Sequence, residues 1–240
     1  MISRENFDAV RIMDLEVSGR RPLKSRNMPV FQRLAAWLAG TSITPNMIST
    51  ASMGMALIAG VSLAATSVAT DDWWRRGLWL LAAIGIQGRL IANLLDGMVA
   101  VEGGKSSPVG DLYNEVPDRV SDTLILVGAG LSATGNLYLG LSASLLAVFV
   151  AYVRAIGASV GAGQVFAGPL AKPQRMALMT LACVTSAMLP TRLQTMPVGA
   201  ELGLMTCVLG IIIAGCVITS IRRLRKIAES LRKAAVAGEV

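Results

Sequence analysis

Histidine is absent from the 240 residues, cysteine occurs three times, and aromatic side chains make up only 5% of the chain. Without histidine there is no mixed Cys/His metal site to build, and Cys183, Cys207 and Cys216 all lie inside apolar runs, where they read as packing residues. Charge is scarce too: Asp, Glu, Lys and Arg supply 15% of the residues against 53% hydrophobic, with a mean hydropathy of +0.59. That length suits one domain, and that balance is too apolar for an ordinary soluble one. The first forty residues lack an uninterrupted apolar run, which excludes a cleavable secretory signal, so insertion relies on the membrane segments themselves. There is no tandem repeat, low-complexity block or second domain. The formal charge of +7 invites comparison with nucleic-acid binders. With few aromatics, and with the basic groups at the ends of apolar segments, an anionic lipid surface is the expected partner and nucleic acid is not.

What is present is a series of six apolar segments, at about 46–68, 76–99, 116–130, 136–156, 174–189 and 201–221. A transmembrane helix needs roughly 20 residues, so the third and fifth are short, although amphipathic extensions can complete both. The expected fold is an all-α polytopic membrane bundle of six transmembrane helices with an N-terminal interfacial amphipathic helix. Its organisation is a cytosolic segment 1–45, a transmembrane unit 46–221 and a basic amphipathic tail 222–240 on anionic lipid. Residues 1–33 carry seven Lys/Arg against four acids. In 29–40, Phe31, Leu34, Ala35 and Leu38 form an apolar stripe, which suits a helix lying in the interface or one packed on the protein's own helices. Gly40 ends that helix, and Thr44 with Pro45 caps and starts the next.

With the N-terminus in the cytoplasm, Lys105, Arg154, Lys172, Arg175 and the basic cluster at 222–233 share its side, and only Arg75, Arg76 and Arg192 fall outside. Both termini are therefore expected inside, in an integral multi-pass protein of a bacterial inner membrane, with Trp73 and Trp74 at the outer interface. Gly54, Ala56, Gly60 and Ala64 let helices approach closely, for bundle packing or a dimer seam; a homodimer is the expected assembly.

The stretch from Asn93 to Asp118 stands out because ionisable groups are costly beside apolar runs. Arg89, Asn93, Asp96 and Ala100 share one helical face, and Gly110, Asn114, Asp118 and Asp122 recur every fourth residue on another helix. Facing each other, the two stripes would make an oxygen-lined pocket at the membrane surface, suited to a hard divalent cation that keeps a substrate phosphate in its shell.

The spacing resembles the signature of the CDP-alcohol phosphotransferases: Asp, two residues, Asp-Gly, two residues, Ala-Arg, about eight residues, Gly, three residues, Asp, three residues, Asp. Asp96-Gly97, Ala100, Gly110 and Asp118 fall in register; Asn93, Val101 and Asn114 depart from it. The phrase from Ser42 to Thr50 is similar to the start of that family's first membrane helix. Residues 152–175, and Asp118-Arg119 followed by Ser121 and Asp122, are similar to the branch that uses inositol phosphate.

The resemblance implies a phosphatidyl (or related phospho-alcohol) transferase of phospholipid biosynthesis. It would take a CDP-alcohol such as CDP-diacylglycerol and a small or phosphorylated acceptor alcohol, and release CMP. It implies Asp96 as a metal ligand, Asp118 as ligand, general base or both, and Asn93 and Asn114 as neutral ligands. Asp96, Gly97, Ala100 and Gly110 would meet the nucleotide, and Arg154, Lys172 and Arg175 a phosphate on the acceptor or lipid. The cofactor would be one or two Mg2+ or Mn2+ ions. Two carboxylates balance one ion better than two, with Arg89 either supplying further positive charge or pairing with an acid such as Asp122. Asp111 and Glu115 read as solvated loop or helix-start acids rather than ligands, with either able to substitute for a missing carboxylate. The substitutions at Asn93 and Asn114 also admit a catalytically weakened relative that binds nucleotide-lipid or partner proteins without turnover.

Overall fold

The computed structural model describes residues 28–102, 104, 109–190, 193–198 and 200–237. The charged segment before residue 28, Lys105 and Arg192, which the topology reading used, lie outside these, as does the side chain of Asp111. Seven helices and one hairpin make up the described chain: α1 Pro29–Ala39, α2 Pro45–Ala65, α3 Asp72–Glu102, α4 Gly110–Gly130, α5 Leu137–Ser159, α6 Lys172–Met188, β1 Thr195–Val198, β2 Ala200–Gly203 and α7 Leu204–Ala237.

Local chemistry sets several of these boundaries. Pro29 opens α1 and Gly40 closes it, and the Thr44 hydroxyl accepts the Met47 amide at 3.3 Å to cap α2 ahead of Pro45. The Asn136 side chain does the same for α5, accepting the Leu139 amide at 3.2 Å. The hairpin, with Thr195 opposite Gly203, was not foreseen: it takes the first residues of the sixth apolar segment and delays the helix to Leu204.

Helices α2 to α7 close into a ring in the order α2, α3, α6, α7, α5, α4, each packed on the next and α4 back on α2. The ring interior is filled by an apolar core that includes Trp79, Ile86, Ile125, Leu126, Met176, Met179, Leu209 and Ile212. Small residues set the tightest crossing. A Cβ on Gly128 would sit 2.4 Å from the Gly60 carbonyl oxygen, so α2 and α4 touch backbone to backbone. Ala56 and Gly60 take part in this buried seam, whereas Gly54 faces open space.

The outward faces carry exposed large apolar side chains, among them Leu57, Val61, Ile84, Leu145, Phe149 and Ile211. Four helices, α2, α3, α5 and α7, are long and apolar enough to cross a membrane. The third and fifth expected segments form helices as well, but neither is among those four. Helix α4 carries Glu115, Asp118, Arg119 and Asp122, and α6 has only 17 residues. Six helices are therefore present at the expected places, and four qualify by length and composition. Helix α7 runs unbroken through 34 residues, about 50 Å at ~1.5 Å per residue, so the basic tail continues the last apolar helix without a joint. Helix α1 lays Phe31, Leu34, Ala35 and Leu38 on the α3 segment around Ala92, Leu95 and Val99, leaving Val30 and Trp37 outward.

Candidate functional site

The two polar stripes meet, but not by direct packing of their helices. Helix α2 lies between α3 and α4 in the ring, so the stripes face each other across the interior and long side chains span the gap. Ring closure, not sequence adjacency, brings the stripes together.

At the centre is a buried ionic lattice. Arg89 on α3 is fully buried and donates from Nη2 to Asp122 Oδ1 at 2.8 Å, to Asp118 Oδ1 at 3.2 Å and to the Asp118 carbonyl at 3.2 Å. Arg175, near the start of α6, donates to the other oxygen of Asp122 at 2.7 Å and to the Leu170 carbonyl at 3.1 Å. Asp122 thus lies between two guanidiniums, an arrangement that holds only because each buried charge meets its opposite at hydrogen-bonding distance. One helical turn earlier on α4, Asp118 pairs through Oδ2 with Lys172 and, at 3.7 Å, with Arg119.

Asp96 is built differently. Its Oδ2 accepts a 2.6 Å hydrogen bond from Ser49 of α2, and its Oδ1 is buried without a hydrogen-bond partner. Asp96 lies close enough to Asp118 and Lys172 to feel their charges. Asn93, Gly97 and Ala100 lie with Asp96 on α3, Gly110 and Asn114 lie with Asp118 on α4, and all five are partly buried.

The basic residues expected to meet a phosphate diverge. Lys172 joins the site through Asp118, while Arg154 on α5 pairs instead with Glu115 and lies 5.8 Å from the Phe166 ring centroid. Arg175 is 1% exposed and committed to Asp122 and a carbonyl, which leaves it out of reach of a ligand. Arg89 pairs with Asp122, the second of the two roles open to it in the sequence. Glu115, read as a solvated acid, is exposed and paired with both Arg119 and Arg154.

Three participants were not anticipated. Ser49 holds Asp96, Arg119 reaches Asp118, and the loop before α6 folds onto α7. There Gly168 has φ +118°, and a Cβ on it would meet the Thr219 side chain, whose hydroxyl accepts the Leu170 amide at 3.3 Å. Ser49 was within sight, since it lies in the phrase that resembles the family's first membrane helix. Beside that loop, Ala167, Gly168, Arg222, Arg225, Lys226 and Glu229 line an open groove of about 470 Å³.

Among the described residues no group of three or more His, Cys, Asp or Glu side chains is placed to share an ion. The buried Oδ1 of Asp96 has no hydrogen-bond partner, and carboxylate and amide oxygens, the types carried by Asp96, Asn93 and Asn114, are what Mg2+ or Mn2+ accepts alongside substrate phosphate.

No family model matches the chain. It is 26% identical over 172 residues to the inner membrane protein YnbA of Escherichia coli (strain K12), covering 69% of this chain and 81% of that protein. Crystal structures of Mycobacterium tuberculosis phosphatidylinositol phosphate synthase (PgsA1) are similar in fold. With CDP-DAG bound the TM-score is 0.64 at 17% identity, covering 83% of this chain and 94% of that one. In complex with manganese and citrate it is 0.64 at 16% identity, covering 82% and 88%. The fold is thus that of a phosphatidylinositol phosphate synthase, as the resemblance to the CDP-alcohol phosphotransferases implies. With four apolar helices and an inner membrane relative, the chain is an integral membrane protein.

Proposed function

We propose that the chain is a CDP-alcohol phosphotransferase that moves a phosphatidyl or related phospho-alcohol group from a CDP-alcohol, such as CDP-diacylglycerol, to an acceptor alcohol. What supports this reading is that Asp96 and Asp118, in signature register, lie within electrostatic reach of each other, with Lys172 paired to Asp118. A divalent ion bound there supplies Lewis-acid polarisation of the diphosphate.

The remaining work falls to the chain. Asp96 holds the ion with help from the Asn93 and Asn114 carbonyl oxygens. Gly97, Ala100 and Gly110 leave room for the nucleotide to approach. Asp118, held in place by Arg89, takes the proton of the acceptor hydroxyl as its oxygen attacks the phosphorus of the lipid phosphate. The bond from that phosphorus to the bridging oxygen breaks, CMP leaves with the electron pair, and a phosphodiester remains. Arg154 and Lys172 receive a phosphate carried by the acceptor or the lipid. The Arg89–Asp122–Arg175 lattice sets the spacing of α3, α4 and α6 and takes no part in the chemistry.

On this reading α2 to α7 form a six-helix transmembrane unit and α1 lies along the interface. The helix beyond residue 221 anchors on anionic lipid. Both termini and the site face the cytosol, and the protein works as a homodimer in a bacterial inner membrane.

A second reading, nucleotide-lipid binding without turnover, is favoured by Asn93 and Asn114 and by the cations already paired with both oxygens of Asp118. Purified protein with labelled CDP-diacylglycerol, Mg2+ or Mn2+ and a panel of alcohols, including inositol phosphate, glycerol phosphate and serine, separates the two. Metal-dependent CMP release that Asp96→Ala and Asp118→Ala abolish supports the transferase. Saturable lipid binding with no CMP under any condition supports the binder.

A further inference from the structure

The two carboxylates of the site are not equivalent. Asp118 has both oxygens occupied by side-chain cations, Oδ1 by Arg89 at 3.2 Å and Oδ2 by Lys172, with Arg119 at 3.7 Å. Asp96 has a neutral hydroxyl on one oxygen and no hydrogen-bond partner on the other, which is buried. A cation arriving from solution therefore finds an open anion at Asp96 and a compensated one at Asp118.

We infer that Lys172 is a tethered cation standing where a divalent ion would otherwise sit on Asp118, so that the site takes a single ion, at Asp96. Of the three described cations on Asp118, Lys172 is the one suited to this. Arg89 is fully buried and shared with Asp122, and Arg119 reaches Asp118 at the longest distance. The Lys172 side chain, 17% exposed at the first turn of α6, ends in a compact ammonium whose three protons can serve Asp118 and a phosphate oxygen together. It also acts electrostatically on Asp96, so its ammonium would share a field with an ion held there. A diphosphate there would meet the ion on one side and Lys172 on the other. The inference rests on the metal-assisted reading above, and its test is independent of turnover.

That test is a count of Mn2+ bound per chain, by equilibrium dialysis and by electron paramagnetic resonance of the free ion, on the full chain in detergent without lipid substrate. Wild type and Lys172→Arg are expected to bind one ion, Asp96→Asn none, and Lys172→Gln two, the second lost again in Lys172→Gln/Asp118→Asn. Two ions or none in wild type, an ion that survives Asp96→Asn, or a count that stays at one in folded Lys172→Gln overturns the inference. Should Lys172→Gln fail to fold, Lys172→Met is counted in its place, with two ions expected and one overturning the inference. A CMP-release assay on the same preparations separates the two ideas. The expected counts without CMP sink the transferase and leave Lys172 in this role, while CMP release with contrary counts removes the role alone.

Discussion

Replacing Asp122 by Asn probes the lattice that sets the geometry of the site. Asp122 is 1% exposed and, among the described residues, is the acid paired with Arg175, which also donates to the Leu170 carbonyl. Arg89 would keep Asp118 and its carbonyl, but Arg175 would be left as a buried guanidinium with no counter-charge. Removing one partner of a buried pair costs about 3–5 kcal/mol. At roughly 2–4 °C per kcal/mol for a chain of this size, the melting temperature in detergent should fall by about 6–20 °C. Fluorescence-detected size exclusion after a heating series measures this. The control is Glu115→Gln, which breaks exposed pairs to Arg119 and Arg154 and should cost less than about 1 kcal/mol. Combining Asp122→Asn with Arg175→Gln should recover part of the loss, because the uncompensated charge goes too. An Asp122→Asn shift no larger than that of Glu115→Gln, or a double variant as unstable as the two single losses added together, would refute the claim that the lattice is held by mutual compensation.

Other perturbations test neighbouring parts of the account. Gly128→Ala should destabilise by about 1–3 kcal/mol through overpacking against the Gly60 carbonyl, whereas Gly54→Ala, facing open space, should melt with wild type. Ser49→Ala removes the hydroxyl that orients Asp96 and should weaken Mn2+ binding by about 10–100-fold, read by the same dialysis. Arg154→Ala should raise KM for a phosphorylated acceptor while leaving KM for CDP-diacylglycerol unchanged, read in steady-state kinetics with each substrate varied in turn.

Much of this architecture is local enough to read in one dimension. Thr44 and Pro45 announce α2, and runs of 15 to 25 apolar residues announce the helices. The four-residue spacing of Gly110, Asn114, Asp118 and Asp122 places them on one face whatever surrounds it. The partners of those faces are another matter. Ser49 and Asp96 are 47 residues apart and Asp122 and Arg175 are 53 apart, and no periodicity within a helix encodes which helices adjoin in a ring. Arg175 illustrates the cost of that gap. In a Lys-Pro-Gln-Arg helix start it resembles a cytosolic anchor or phosphate ligand, and only closure of α6 against α3 and α7 turns it inward to Asp122. Lys172, three residues earlier on the same turn, stays at the rim, so two basic residues that look alike in sequence take different work. The hairpin escaped notice because Ala200 to Gly203 merges into the hydropathy of the helix it precedes.

The central claim is that Asp96 and Asp118, carried by helices that face each other across the ring, hold one ion and one diphosphate between them. An experimental structure of the protein with CDP-diacylglycerol and Mn2+, with the metal located by its anomalous scattering, tests it most directly. The account predicts one manganese peak on Asp96 Oδ1, with the diphosphate lying between it and Lys172. A diphosphate bound elsewhere, for instance in the groove beside Arg222 and Arg225, with no metal at Asp96, would contradict it.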